Sequence, residues 1–189
     1  MTRSLARTFA ACALAAAAAA PAFAAGDLTG TTVAIDWKFP NSTTTYATNS
    51  VVVGPGAEVS CAGGTAGSGL CVGFVDAATI DIGAHSLSLT IDSGTVPWSS
   101  AGFNGYEFSG LSAGGPWTGY SLATTFAGLD ASRVTFTPDA VWVDMEGIAP
   151  SAGESFTISL TTAVPEPAGP ALLLAGLGAL VCIARRRRA

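Results

Sequence analysis

The sequence predicts an all-β fold, a single β-sandwich of jelly-roll-like or immunoglobulin-like type, flanked by an N-terminal signal peptide and a C-terminal transmembrane helix. Three observations predict it. Apolar and polar residues alternate with period two in many short runs between residues 25 and 163, the mark of half-buried strands. No window there keeps a 3.6-residue apolar period for three turns, so no helix is available to cover a sheet, and sheets must pair face to face. The same stretch holds 20 Gly and 35 Ser plus Thr among its 139 residues, which supplies frequent turns.

The first element, 1–24, reads as a secretory signal. Arg3 and Arg7 form the positive start, Phe9 to Ala20 is an unbroken apolar run, and Pro21 ends it. Ala22-Phe23-Ala24 is a small-x-small site, so cleavage is expected between Ala24 and Ala25.

Four strands stand out in the middle of the chain. Val33, Ile35, Trp37 and Phe39 alternate with Ala34, Asp36 and Lys38; Leu87, Leu89 and Ile91 alternate with Ser86, Ser88, Thr90 and Asp92. Val141, Val143 and Met145 alternate with Trp142, Asp144 and Glu146, and Phe156, Ile158 and Leu160 with Thr157, Ser159 and Thr161. Weaker strands are expected near 51–60, 72–82, 104–109, 119–126 and 132–137. Gly54-Pro55-Gly56, Asp92-Ser93-Gly94, Asn104-Gly105, Gly114-Gly115-Pro116 and Thr137-Pro138-Asp139 read as the turns between them. No internal repeat points to a solenoid or propeller.

Charge narrows the function. Residues 25–163 carry twelve acids and two bases, Lys38 and Arg133, a net charge of −10. A domain so acidic has no basic surface for phosphates, which excludes nucleic acid as a partner.

Cys12 leaves with the signal and Cys182 lies in the tail, so an exported domain retains Cys61 and Cys71. Outside the cytoplasm this pair is expected to form a disulfide across the glycine-rich loop between them. Closing a loop of that size stabilises by about 3 kcal/mol in the chain-entropy picture.

No catalytic residue, metal or cofactor is expected. His85 is the only histidine, sits just ahead of a strand beside Ser86, and reads as a surface or turn residue. Asp144 and Glu146 lie two apart on one strand face, about 7 Å between Cα atoms, a spacing that suits a carboxylate pair or a hard cation. Two acids on a solvent-facing strand, beside Trp142, are also ordinary surface chemistry. Asp36, Asp76, Asp81 and Asp92 are scattered over strand ends and outer faces.

The aromatic-rich segment 97–120 offers a binding alternative. Flat rings in glycine-rich loops stack on sugar rings, and Trp98, Trp117 and Tyr120 are the candidates for such a platform. The opposing expectation is that these rings plug the end of the sandwich as core.

The last element, 164–189, has three parts. Pro165-Glu166-Pro167 is followed by Ala168 to Ala184 without a charge, and then by Arg185 to Arg188. The apolar part spans about 26 Å as a helix, at the short limit for a bilayer, and the arginines hold its end in the cytoplasm. This order resembles the PEP-CTERM sorting signal of exported bacterial proteins. The resemblance implies that Pro165, Glu166 and Pro167 are read by an exosortase, a membrane-embedded processing partner. The chain would be anchored in the membrane through 168–184 until the tail is removed, then reach the cell surface or the extracellular space. The stretches 103–108, 130–136 and 141–144 also resemble a pattern in PEP-CTERM-tagged domains, which adds no chemistry. The expectation is therefore a non-enzymatic, structural or adhesive surface protein; the alternative is a carbohydrate-binding module for extracellular polysaccharide.

Overall fold

A computed structural model describes residues 26–61 and 77–163. The signal segment with its Ala24–Ala25 cleavage site, Cys71, Asp76, the sorting triplet Pro165-Glu166-Pro167 and the apolar stretch 168–184 lie outside the described residues.

Ten strands form two antiparallel five-stranded sheets. They are β1 (Thr32–Lys38), β2 (Thr45–Val52), β3 (Val59–Ser60), β4 (Ala78–Gly83), β5 (Ser86–Ile91), β6 (Gly105–Ser109), β7 (Trp117–Thr124), β8 (Val134–Phe136), β9 (Ala140–Asp144) and β10 (Ser155–Thr162). One sheet runs β2-β1-β6-β9-β8 and the other β3-β4-β5-β10-β7. Two short 3-10 helices, Leu111–Gly114 and Ala131–Arg133, are the only helical turns among the described residues.

Period two explains the core. In the first sheet Val33 and Ile35 of β1 lie on the same face as Phe108 of β6 and Val141 and Val143 of β9, all fully buried. In the second, Ile82, Leu87 and Ile158 form one row across β4, β5 and β10, and Ile80, Leu89 and Phe156 the next. Both rows belong to the same buried apolar cluster as the first sheet's, so the two inner faces share one core. Each such side chain contributes about 1.5–3 kcal/mol by leaving water.

The outer face of the first sheet is polar, and its register sets up a conflict that one residue resolves. Asp36 and Glu107 stand directly opposite each other on β1 and β6, a like-charge pair that would destabilise the ladder. Lys38 answers both, with Nζ 2.8 Å from Asp36 and 2.9 Å from Glu107. Burial alone would lower the Lys38 pKa, but hydrogen bonds and charge from Asp36 and Glu107 outweigh it and hold the ammonium above its ordinary 10.5. Burial likewise works to raise Asp36, and hydrogen bonds from Lys38 and Thr48 overcome it, leaving the carboxyl below 3.8.

The sign of the resulting pH dependence follows. A depressed carboxylate contributes fully above its unfolded value and loses that contribution as pH falls through the folded one. A raised ammonium contributes fully below its unfolded value and loses it as pH rises through the folded one. Lys38→Met is expected to cost about 1–3 kcal/mol, between the limits for surface and fully buried pairs. The difference between wild type and variant should be constant from about pH 5 to 9. It should shrink below the ordinary carboxylate value of 3.8 and above the ordinary lysine value of 10.5. Denaturant titrations at a series of pH values check this; a difference independent of pH would mean that the charge on Lys38 contributes nothing.

Two strand boundaries depart from expectation. The run expected near 51–60 divides into β2, which begins earlier at Thr45, and the two-residue β3, with the Gly54-Pro55-Gly56 bend between them. Asn104-Gly105 is not a turn. Gly105 opens β6, and Asn104 is 3% exposed beneath the loop that precedes it.

Candidate functional site

The three aromatic residues expected to form a sugar platform are not brought together as one. The Trp117 ring is 1% exposed; its indole N–H donates to the Leu111 carbonyl (2.8 Å), and His85 meets its ring edge to face at 5.9 Å. Tyr120, three residues along β7, is half-buried against Phe136, and its hydroxyl is 3.3 Å from the Ala131 and Val134 carbonyls. Trp98 precedes β6, is 4% exposed, and exchanges backbone hydrogen bonds with Ile148 and Gly147. Trp98 and Trp117 are buried and Tyr120 is half-buried, so the three offer no common flat face to a sugar. The physical reason is size: a tryptophan beside a sheet edge removes more apolar area from water by folding inward than by waiting for a ligand.

The carboxylates also have local work. β9 ends at Asp144, so Glu146 lies in the following turn and not on the same strand face. Asp144 Oδ1 accepts from the backbone N–H groups of Asn104 and Glu146, each at 3.1 Å. Glu146 Oε2 accepts from the Ala101 N–H at 2.8 Å, and its carbonyl accepts from Arg133 Nη1 at 2.9 Å. Together they line a shallow polar depression beside Ser132 and Thr135, and they tie the 101–104 loop to the end of β9. Among the described residues no three His, Cys, Asp or Glu side chains gather as metal ligands. His85 is exposed in the two-residue turn between β4 and β5. Asp92 accepts from the Thr79 hydroxyl at 2.7 Å, while Asp81 is exposed on β4. Cys61 follows β3 and is 4% exposed; Cys71, its expected partner, lies outside the described residues.

What the fold does assemble is an aromatic cleft of about 240 Å3 where β1 and β2 meet the segment before β6. Trp37 is the penultimate residue of β1, Phe39 follows the strand, Tyr46 comes from β2, and Trp98, Ser99 and Asn104 arrive from the other side. The Trp37 and Tyr46 ring centres are 4.6 Å apart at 60°, and Phe39 stands perpendicular to Tyr46 at 6.4 Å. The Trp37 indole N–H donates to Asn104 Oδ1 (2.9 Å), whose Nδ2 donates to the Ser99 carbonyl (2.9 Å). The orientation of Trp37 is thereby fixed by a buried amide. Of this set the sequence offers only Trp98 as a candidate. Trp37 reads there as one more inward strand residue, and nothing local links it to Tyr46.

Residues 163–188 match a protein-family model, the PEP-CTERM protein-sorting motif. No curated protein and no solved structure matches the chain. The protein is thus an exported protein with an all-β domain and a PEP-CTERM sorting motif, consistent with an exosortase substrate. The motif implies secretion through the membrane and a surface or extracellular location.

Proposed function

We propose that residues 25–163 act as a non-enzymatic, structural or adhesive component of the cell surface or extracellular matrix, delivered when an exosortase acts at Pro165-Glu166-Pro167 and removes the apolar tail. The sorting motif carries this reading. Its physical support is the character of the domain: an acidic, Ser- and Thr-rich surface stays hydrated among polysaccharide chains, and Asp144 and Glu146 hold backbone amides. A Cys61–Cys71 crosslink would protect the edge of the second sheet outside the cell, and the buried position of Cys61 beside β3 favours it.

Mass spectrometry of protein recovered from the cell surface tests the delivery. The expected chain starts at Ala25, lacks Arg185 to Arg188, and weighs two hydrogens less than the dithiol. An intact arginine terminus on surface-exposed protein overturns processing. Removing the protein from its host is expected to loosen surface polysaccharide under shear, and an unchanged matrix counts against the structural role.

A second reading, recognition of extracellular polysaccharide, is favoured by a separate observation, the aromatic cleft at Trp37 and Tyr46.

A further inference from the structure

Resting on the carbohydrate-recognition reading, we propose that the Trp37–Tyr46 cleft is a binding site for one or two sugar rings of an uncharged polysaccharide, with Tyr46 as the stacking face. Tyr46 is the ring that is both accessible and held. It is 59% exposed, yet Trp37 and Phe39 brace it on two sides, so little side-chain freedom remains to be lost when a ligand arrives. Its π-face is electron-rich, and a pyranose presents weakly positive C–H groups on its flat face. The cleft is smaller than the roughly 300–1,000 Å3 of sites for larger ligands, a scale suited to a ring or two.

Charge selects the class of sugar. The cleft residues Trp37, Phe39, Tyr46, Trp98, Ser99 and Asn104 carry no charge. The domain's two bases are committed elsewhere, Lys38 to Asp36 and Glu107, Arg133 to the Glu146 carbonyl. An anionic glycan would find no counter-charge and a repelling net charge of −10.

A proline-rich peptide, the other common guest of aromatic grooves, is disfavoured by the hydrogen bonds. Proline has no N–H, so such a segment mainly offers carbonyls and needs donors. The indole N–H of Trp37, the natural donor in this cleft, is spent on Asn104. That leaves the Tyr46 and Ser99 hydroxyls, which can donate to a carbonyl but also accept; a sugar hydroxyl uses both capacities, a proline-rich segment only one.

The test uses the full-length chain in a zwitterionic detergent without a sugar headgroup, titrated calorimetrically and by tryptophan emission. The probes are cellohexaose, mannohexaose, maltohexaose, oligogalacturonate and decaproline. At least one neutral hexaose is expected to bind with Kd between about 10 μM and 10 mM. Tyr46→Ala should weaken it about tenfold or more, and Tyr46→Phe by less than about threefold, since the exposed site tolerates either change without unfolding. Neutral-sugar binding indifferent to Tyr46→Ala overturns the cleft while leaving carbohydrate recognition in place. No binding of any neutral hexaose overturns both. Tyr46-dependent binding of decaproline, or tighter binding of oligogalacturonate, overturns the assigned class.

Discussion

Trp117→Ala is expected to lower the unfolding free energy by about 3–5 kcal/mol, the usual range for deleting a buried aromatic side chain. The wild-type ring is 1% exposed and touches the chain on several sides. A Cβ on Gly26 would meet it at 2.7 Å, His85 packs on its edge, and its N–H satisfies the Leu111 carbonyl, which the variant leaves bereft. Conservative Trp117→Phe should recover roughly half the loss, because the ring is partly restored and the hydrogen bond is not. Chemical denaturation with far-ultraviolet dichroism measures both. Trp117→Ala also separates structural from binding roles: its folded fraction should bind the neutral hexaose as wild type does. A variant with wild-type stability would show that Trp117 is not part of the core, and would reopen its place in a sugar platform.

The fate of that platform shows what the sequence conveys. Strands whose burial alternates residue by residue are legible, because period two maps directly onto the faces of a pleated sheet. Val33 to Lys38, Ser86 to Ile91 and Ser155 to Thr162 therefore fall close to where alternation puts them. β2 is less legible. Thr45–Val52 is an edge strand, exposed or half-buried throughout, so no inward apolar set announces its start. The cleft is illegible for a different reason. Trp37 and Tyr46 meet only through the β1–β2 pairing, and Asn104 reaches Trp37 across 67 residues of chain. Segmental richness in aromatics points instead to 97–120, where most of the rings are core.

Asn104-Gly105 misleads most, and Gly105→Ala carries the second large prediction. Such a pair ordinarily marks a hairpin, because both residues tolerate a left-handed backbone. Neither residue is used that way here. Gly105 stands opposite Asp144 across the β6–β9 ladder, and a Cβ there would fall far inside the van der Waals contact distance of the Val143 carbonyl oxygen. It would also lie 2.9 Å from the Val143 carbonyl carbon and 3.2 Å from Asp144 Cα. Every one of these atoms is backbone, so no side-chain rotation relieves the overlap; β6 and β9 must part at this end. Parting them strains the Asn104 N–H bond to Asp144 and the Met145 N–H bond to the Asn104 carbonyl. The expected cost of Gly105→Ala is about 3 kcal/mol or more, large for adding one methyl group and at the upper end of overpacking. Asn104 is displaced with the strand, so Trp37 loses its anchor and the cleft its shape. The variant should therefore lose neutral-sugar binding even under conditions where it remains folded, whereas Trp117→Ala should not. Parallel denaturation and hexaose titrations of the two variants check the contrast; a Gly105→Ala protein as stable as wild type would mean that the close approach of β6 to β9 is not a constraint on this fold.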